Sequence, residues 1–97
     1  MLFRSGERAE NLEMAISFYR EALKVRTFEA FPQEWAMTQN NLAVAYSTRI
    51  RGEKAENLET AITCYQNALQ GYEMAGDWLN AAEIALTLGK IAVDRGD

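Results

Sequence analysis

The sequence predicts an all-α protein with four main helices, and two observations support this prediction. Residues 52–69, GEKAENLETAITCYQNAL, repeat residues 6–23, GERAENLEMAISFYREAL, with 12 of 18 positions identical and an offset of 46 residues. Apolar residues recur at helical spacing through most of the chain, and no useful stretch alternates with a period of two, so no sheet is expected. Short connections between the helices make neighbours antiparallel.

The two copies of the repeat predict helices at roughly residues 9–29 and 55–74. Their apolar residues step mainly by three or one along the chain, which places them on one continuous stripe of a helix. The stripe consists of Leu12, Ala15, Ile16, Tyr19, Ala22 and Leu23 in the first copy, and of Leu58, Ala61, Ile62, Tyr65, Ala68 and Leu69 in the second. Asn11 and Asn57 are predicted to cap the starts of these helices.

The other two helices are predicted at roughly residues 33–50 and 78–94. Pro32 suits a first helical turn, Gly52 follows the end of the pattern, and Asp77 is a candidate cap. The recurring apolar positions are Trp35, Leu42, Ala43, Tyr46 and Ile50 in the earlier helix, and Trp78, Ala81, Ala82, Ala85, Leu88 and Ala92 in the later one.

Length and charge indicate a single domain spanning residues 1–97 with no nucleic-acid partner. The net charge is −4, and the nearest approach to a basic patch, Arg49, Arg51 and Lys54, is interpreted as a solvated loop. No apolar run is long enough to span a membrane, so no membrane partner is expected. Cys64 is the only cysteine, which excludes an internal disulfide and favours a cytoplasmic location.

The residue types also predict that the protein is not an enzyme and has no catalytic, metal or cofactor site. The chain contains no histidine, the commonest general base, and no phosphate-binding glycine loop. Its 14 acidic residues fall on the polar sides of the helical patterns. Cys64 occupies the position of Phe18 in the other copy, which points to packing rather than to redox chemistry.

These patterns resemble the tetratricopeptide repeat family. The first helix of such a repeat carries a Leu-Ala or Leu-Gly pair, matched by Leu42-Ala43 with Tyr46 and by Leu88-Gly89. The second helix is matched by Ala61, Tyr65, Ala68 and Leu69, and by their equivalents in the first copy. The 46-residue period exceeds the usual one of about 34 and is similar to a long-period bacterial version of the repeat.

The resemblance implies a fragment of a right-handed α-solenoid. With the first helix of each repeat called A and the second called B, the four helices follow in the order B-A-B-A. The A helices are then expected to line a concave groove that binds a peptide or a partner helix. The groove residues it implies are Met37, Asn40, Asn41, Val44 and Ser47 on one A helix, and Glu83, Leu86, Thr87 and Lys90 on the other.

Asn41 stands where chaperone-binding members of the family hold a peptide carboxylate. Glu83 and Thr87 replace the basic clamp residues of those members, so a carboxylate clamp is not expected. The alternative for Asn40 and Asn41 is ordinary polar surface, or a buried amide that bonds the next loop.

The expected function is a protein–protein interaction scaffold. One alternative is a self-assembling module that forms homo-oligomers through its first and last helices. Their uncovered apolar residues are expected to be Leu12, Ile16, Tyr19 and Leu23, and Ile84, Leu88 and Ile91. A recognition segment of a larger bacterial signalling protein is a further alternative.

Overall fold

The computed structural model describes residues 5–96, which form four helices and no strand. These are α1 (Ser5–Val25), α2 (Pro32–Thr48), α3 (Lys54–Ala75) and α4 (Trp78–Arg95). The prediction of an all-α protein whose four helices pack against one another is therefore confirmed. Residues 1–4 and 97 of the predicted domain lie outside the described part of the chain.

The helix ends differ from the sequence-based prediction most clearly around α1 and α2. α1 begins at Ser5 and ends at Val25, not at residue 29, because the Thr27 hydroxyl accepts a hydrogen bond from the Ala30 N–H (3.3 Å) in a separate turn. α2 ends at Thr48 because Arg49 has an extended backbone, with ψ at 133°. Ile50 therefore leaves the apolar stripe and is 48% exposed.

The predicted caps have mixed outcomes. Asp77 caps α4, since its carboxylate accepts a hydrogen bond from the Asn80 N–H at 3.2 Å. Asn57 does not cap α3, because that helix begins a turn earlier, after Glu53. Asn11 likewise lies within α1 and cannot cap its start.

The helices pack in chain order, α1 on α2, α2 on α3 and α3 on α4. Between the described helices, no other pair brings Cα atoms within 8 Å. The α2–α3 contact is the most extensive of the three. Its centre consists of alanines with no exposed surface, which allow two helix axes to approach closely; these are Ala36, Ala43, Ala61 and Ala68.

The side chains that the sequence assigns to the core divide into two groups. Ile16, Leu42, Ala43, Tyr46, Ala61, Tyr65 and Ala68 are buried, whereas Leu12, Ala15, Tyr19, Leu23, Leu58, Ile62, Leu69 and Leu88 are only half-buried. The second group is less covered than expected because helices stacked in one row leave part of each apolar stripe without a neighbour. The core also includes Tyr72, Ala81 and Ile84.

Gly71 lies at a close approach of α2 and α3. A Cβ atom at this position would lie 2.8 Å from the Ala36 Cβ and 2.9 Å from the carbonyl oxygen of Pro32. The second neighbour is backbone and cannot move aside without shifting α2. Gly89 of α4 is the opposite case, because, apart from its chain neighbours and the nearby backbone of α4 itself, no described atom lies within 4 Å of a Cβ built there.

We expect Gly71→Ala and Gly89→Ala to change stability in opposite directions. The first forces α2 and α3 apart and should cost about 1–3 kcal/mol. The second should stabilise the protein by up to about 1 kcal/mol, because alanine has a higher helix propensity than glycine. Urea unfolding of both variants tests this, and a stabilising Gly71→Ala would show that the two helices are not in close contact.

Candidate partner-binding surfaces

The outer face of α4 forms an open apolar groove with a volume of about 810 Å³. Its described lining residues recur at helical spacing along this one helix: Ala82, Ala85, Leu86, Gly89, Lys90, Val93 and Asp94. α4 is apolar on two sides. Ala81, Ile84, Leu88 and Ile91 are buried or half-buried against the core, while Leu86 and Val93 are 66% and 75% exposed.

The groove residues implied by the family resemblance lie mostly at the surface. Thr87 and Asn40 are half-buried, and the rest are exposed: Met37, Asn41, Val44, Ser47, Glu83, Leu86 and Lys90. Leu86 and Lys90 also line the α4 groove. No Cα atoms of α2 and α4 lie within 8 Å of each other in the described chain, but the Gln33 amide at the start of α2 donates to the carboxylate of Asp77, the α4 cap, at 2.7 Å.

The Asn40 and Asn41 side chains form no hydrogen bond within the described residues. Asn41 is exposed, so the alternative of a buried amide that bonds the next loop is wrong for this residue. Its amide is therefore open to a partner or to solvent.

The unpartnered apolar faces of the first and last helices are not those that the sequence indicated. Ile16 and Ile84 are buried, and Tyr19, Leu23, Leu88 and Ile91 pack against the core cluster. The exposed apolar side chains of α1 are instead Met14, Phe18 and Val25, which are 69%, 70% and 70% exposed. On α4 they are Leu79, Leu86 and Val93, together with Trp78 at the start. The reason is that each of these helices carries two apolar stripes, and the inner one faces the one described helix that packs against it.

A polar cluster joins α1 to α2 and to the start of α3. The Arg49 guanidinium donates two hydrogen bonds to the Glu13 carboxylate, at 2.8 and 2.7 Å, and a third to the Asn57 side-chain oxygen at 3.1 Å. The Asn57 amide donates to the Arg51 carbonyl at 2.9 Å, so the buried side chain is satisfied on both sides. The Arg49 guanidinium is therefore already paired, and does not contribute to a free basic patch.

The same cluster holds the Tyr46 ring. Guanidinium carbons of Arg20 and Arg49 lie 5.4 and 5.7 Å from the ring centre, and Arg20 also donates to the Tyr46 hydroxyl. Cation–π contacts of this kind add to the hydrogen bonds and fix α1 against α2. The hydrogen bond from Arg49 holds the pKa of Glu13 below its usual value.

Cys64 has the surroundings of a packing residue. It is buried within the core cluster, and burial raises the pKa of its thiol. The thiolate, which is the reactive form, is therefore scarce at neutral pH. The described residues contain no group of three or more potential metal ligands, and none of their helices is long and apolar enough to cross a membrane.

Comparisons with protein-family models, with curated proteins and with solved structures gave no match for this chain. Its function is therefore inferred from its helix surfaces and the side chains they carry.

We expect Glu13→Gln to destabilise the protein at neutral pH and to have little effect in acid. Because the folded state lowers the pKa of Glu13, the pair stabilises the protein above the ordinary carboxyl pKa, and this contribution is lost as the pH falls through the lowered value. Urea midpoints of wild type and variant should thus differ at pH 7 and converge progressively as the pH falls below the ordinary carboxyl pKa of about 4.3. Exposed Glu29→Gln is the control, and a difference that persists in acid would contradict the prediction.

Proposed function

We propose that this protein is a non-enzymatic interaction module of the tetratricopeptide-repeat class, which binds a peptide or partner helix along the α2 and α4 surfaces. The observation that carries the proposal is the apolar groove of α4, with Leu86 at its centre and 66% exposed. Contiguous apolar surface of this kind marks interaction sites in soluble proteins. On α2, Met37 and Val44 are also exposed apolar side chains.

The arrangement of the helices supports the repeat class. Leu42 on α2, which matches the first helix of the repeat, is buried in the shared core. Ala61 and Tyr65 on α3, which match the second helix of the repeat, are buried there too. Among the described helices, each contacts only its neighbours along the chain, as expected for stacked repeats. The proposal also includes a right-handed concave solenoid and a cytoplasmic location. It further includes a place as the recognition segment of a larger bacterial signalling protein, which rests on the long repeat period.

The chemistry of the groove suggests the kind of partner. Five of its seven described lining residues are Ala, Leu, Gly or Val, and Lys90 and Asp94 supply one charge of each sign. Such a surface suits an amphipathic helix with apolar residues spaced three and four apart. Glu83 lies on the exposed side of α4 and disfavours an acidic peptide terminus.

The test is a selection from a phage-displayed random peptide library on the immobilised protein. Fluorescence anisotropy then measures the affinity of one selected synthetic peptide. Leu86→Asp should weaken binding by at least about tenfold, because it places a charge in the apolar groove. Met74→Asp, a change at a similarly exposed apolar residue of α3, should leave it unchanged. Equal binding by both variants would place the site elsewhere.

A second candidate function, self-assembly, is favoured by the exposed side chains of α1. Phe18 and Val25 are seven residues apart on one face, and both are 70% exposed. Large apolar groups so placed on a helix are typical of an interface.

We expect the mass of the isolated protein to rise above 11.0 kDa as its concentration increases. Size exclusion with light scattering between about 10 μM and about 1 mM covers the range expected for a weak interface. A constant monomer mass would contradict self-assembly without affecting the peptide proposal.

A further inference from the structure

We propose that the outer face of α4 packs against the same face of a second copy, in a two-fold dimer whose two α4 helices are antiparallel. The proposal rests on self-assembly, the second of the two proposed functions, and places the contact on α4. It is supported by the order of large and small side chains along this face and by the charges beside them.

The outer face of α4 has the spacing of a helix that pairs with another helix. Its central row steps alternately by three and four residues, as along the seam of a coiled coil. The members of this outer row are all exposed, and none is ionisable: Leu79, Ala82, Leu86, Gly89, Val93 and Gly96. Ile84 and Ile91 lie on the opposite face and pack with the core. The helix therefore carries one row for the core and a second row with no described neighbour.

Large and small side chains alternate along the outer row, with leucine or valine at every first position and alanine or glycine at every second. In antiparallel helices, a step forward on one helix faces a step back on the other. When Leu86 of one copy faces Gly89 of the other, Val93 consequently faces Ala82, and the two-fold axis repeats both pairs. Each large side chain then fills the space beside a small one. In a parallel pair, by contrast, Leu86 would meet Leu86 and Gly89 would meet Gly89, so the order of residues favours the antiparallel dimer.

The charges beside the outer row are complementary in the same register. Glu83 and Lys90 are exposed on one side of the row and lie seven residues apart. Two-fold symmetry brings Glu83 of each copy next to Lys90 of the other, so opposite charges pair twice. Residues at such flanking positions set partner choice and orientation in coiled coils. The other side of the row is flanked by Ala85 and Ala92, which carry no charge, and Asp94 lies further round the helix, outside the seam.

The position of the two-fold axis allows nearly all of α4 to be paired. The register places the axis between Thr87 and Leu88, close to the middle of this helix of 18 residues. The paired length is therefore about 27 Å, at a rise of 1.5 Å per residue. A single helix pair is small beside the roughly 1,200–2,000 Å² of stable complexes, so the dimer is weak. Because both copies use the same face, the contact is isologous and assembly stops at two chains.

The exposed apolar row of α1 is less suited to such pairing. Its large side chains are Met14, Phe18 and Val25. Glu21 is exposed at the helical position between Phe18 and Val25, so it interrupts the row. A helix packed along this row would crowd or bury that carboxylate, which is costly for a charge without a partner across the contact. The outer row of α4 contains no such interruption.

The test is a pair of charge reversals, followed by size exclusion with light scattering at low ionic strength. The wild type should approach twice 11.0 kDa at about 1 mM. Glu83→Lys alone, or Lys90→Glu alone, places like charges together at both sites and should weaken the dimer by about tenfold. An equimolar mixture of the two variants should dimerise like the wild type, because it restores opposite charges at both sites. The double variant should do the same.

Matched controls separate this contact from a general effect of net charge. Glu73→Lys and Lys54→Glu make the same two charge changes at exposed positions of α3 and should dimerise like the wild type. Gly89→Leu fills the space that Leu86 of the other copy needs, and should abolish the dimer. Phe18→Arg alters only the exposed row of α1 and should leave the dimer unchanged. Circular dichroism verifies that every variant keeps its helices.

The other outcomes overturn the proposal in distinguishable ways. A wild type that stays monomeric would contradict self-assembly itself. Assembly that is lost in Phe18→Arg but kept in Gly89→Leu would preserve self-assembly and place the contact on α1. If each reversal weakens the dimer and their mixture does not recover it, the two α4 helices do not meet in antiparallel register. A mass that rises beyond two chains would show a contact that does not close.

Discussion

The close approach of α2 and α3 is the constraint on which the rest of the structure depends. It is possible because Gly71 has no side chain and because the facing residue is the fully buried Ala36. Since most of the close-packed centre is alanine, larger core residues such as Leu42 and Tyr65 surround it rather than occupy it, and none of the large side chains that the structure describes is completely buried. Backbone proximity, more than side-chain volume, thus organises this core.

A core of this type leaves apolar surfaces uncovered in the described part of the chain. Once α2 and α3 are paired, α1 packs on α2 and α4 packs on α3, and each of these outer helices has one neighbour among the described helices. Both nevertheless carry a second apolar stripe, exposed at Phe18 on α1 and at Leu86 on α4. The same two-sided sequence that suits a helix between two neighbours therefore produces exposed apolar faces at the two sides of the stack.

Much of the fold follows from the sequence, whereas the orientation of the outer helices does not. The internal repeat and the helical spacing around Leu42 and Tyr65 suffice to predict four packed helices, because apolar periodicity is a local property. The α4 pattern is ambiguous, since alanines occur on several of its sides, and only packing against α3 determines that Ala81 is buried while Ala82 is exposed. The end of α2 likewise depends on tertiary contacts, because the Arg49 side chain binds Glu13 of another helix.

The contact that holds α1 on α2 differs in its chemistry from the exposed faces of α1 and α4. α1 is held on α2 by oriented polar groups, with Arg49 bonded to Glu13 and to Asn57, and this geometry admits one arrangement. The open faces of α1 and α4 consist largely of apolar groups, whose burial is favourable but not directional. Shape therefore has to supply their specificity, and the absence of a side chain at Gly89 leaves room on this face of α4 for a side chain of a partner. For the partner helix proposed above, we expect selection by how closely it approaches α4, the same criterion that pairs α3 with α2.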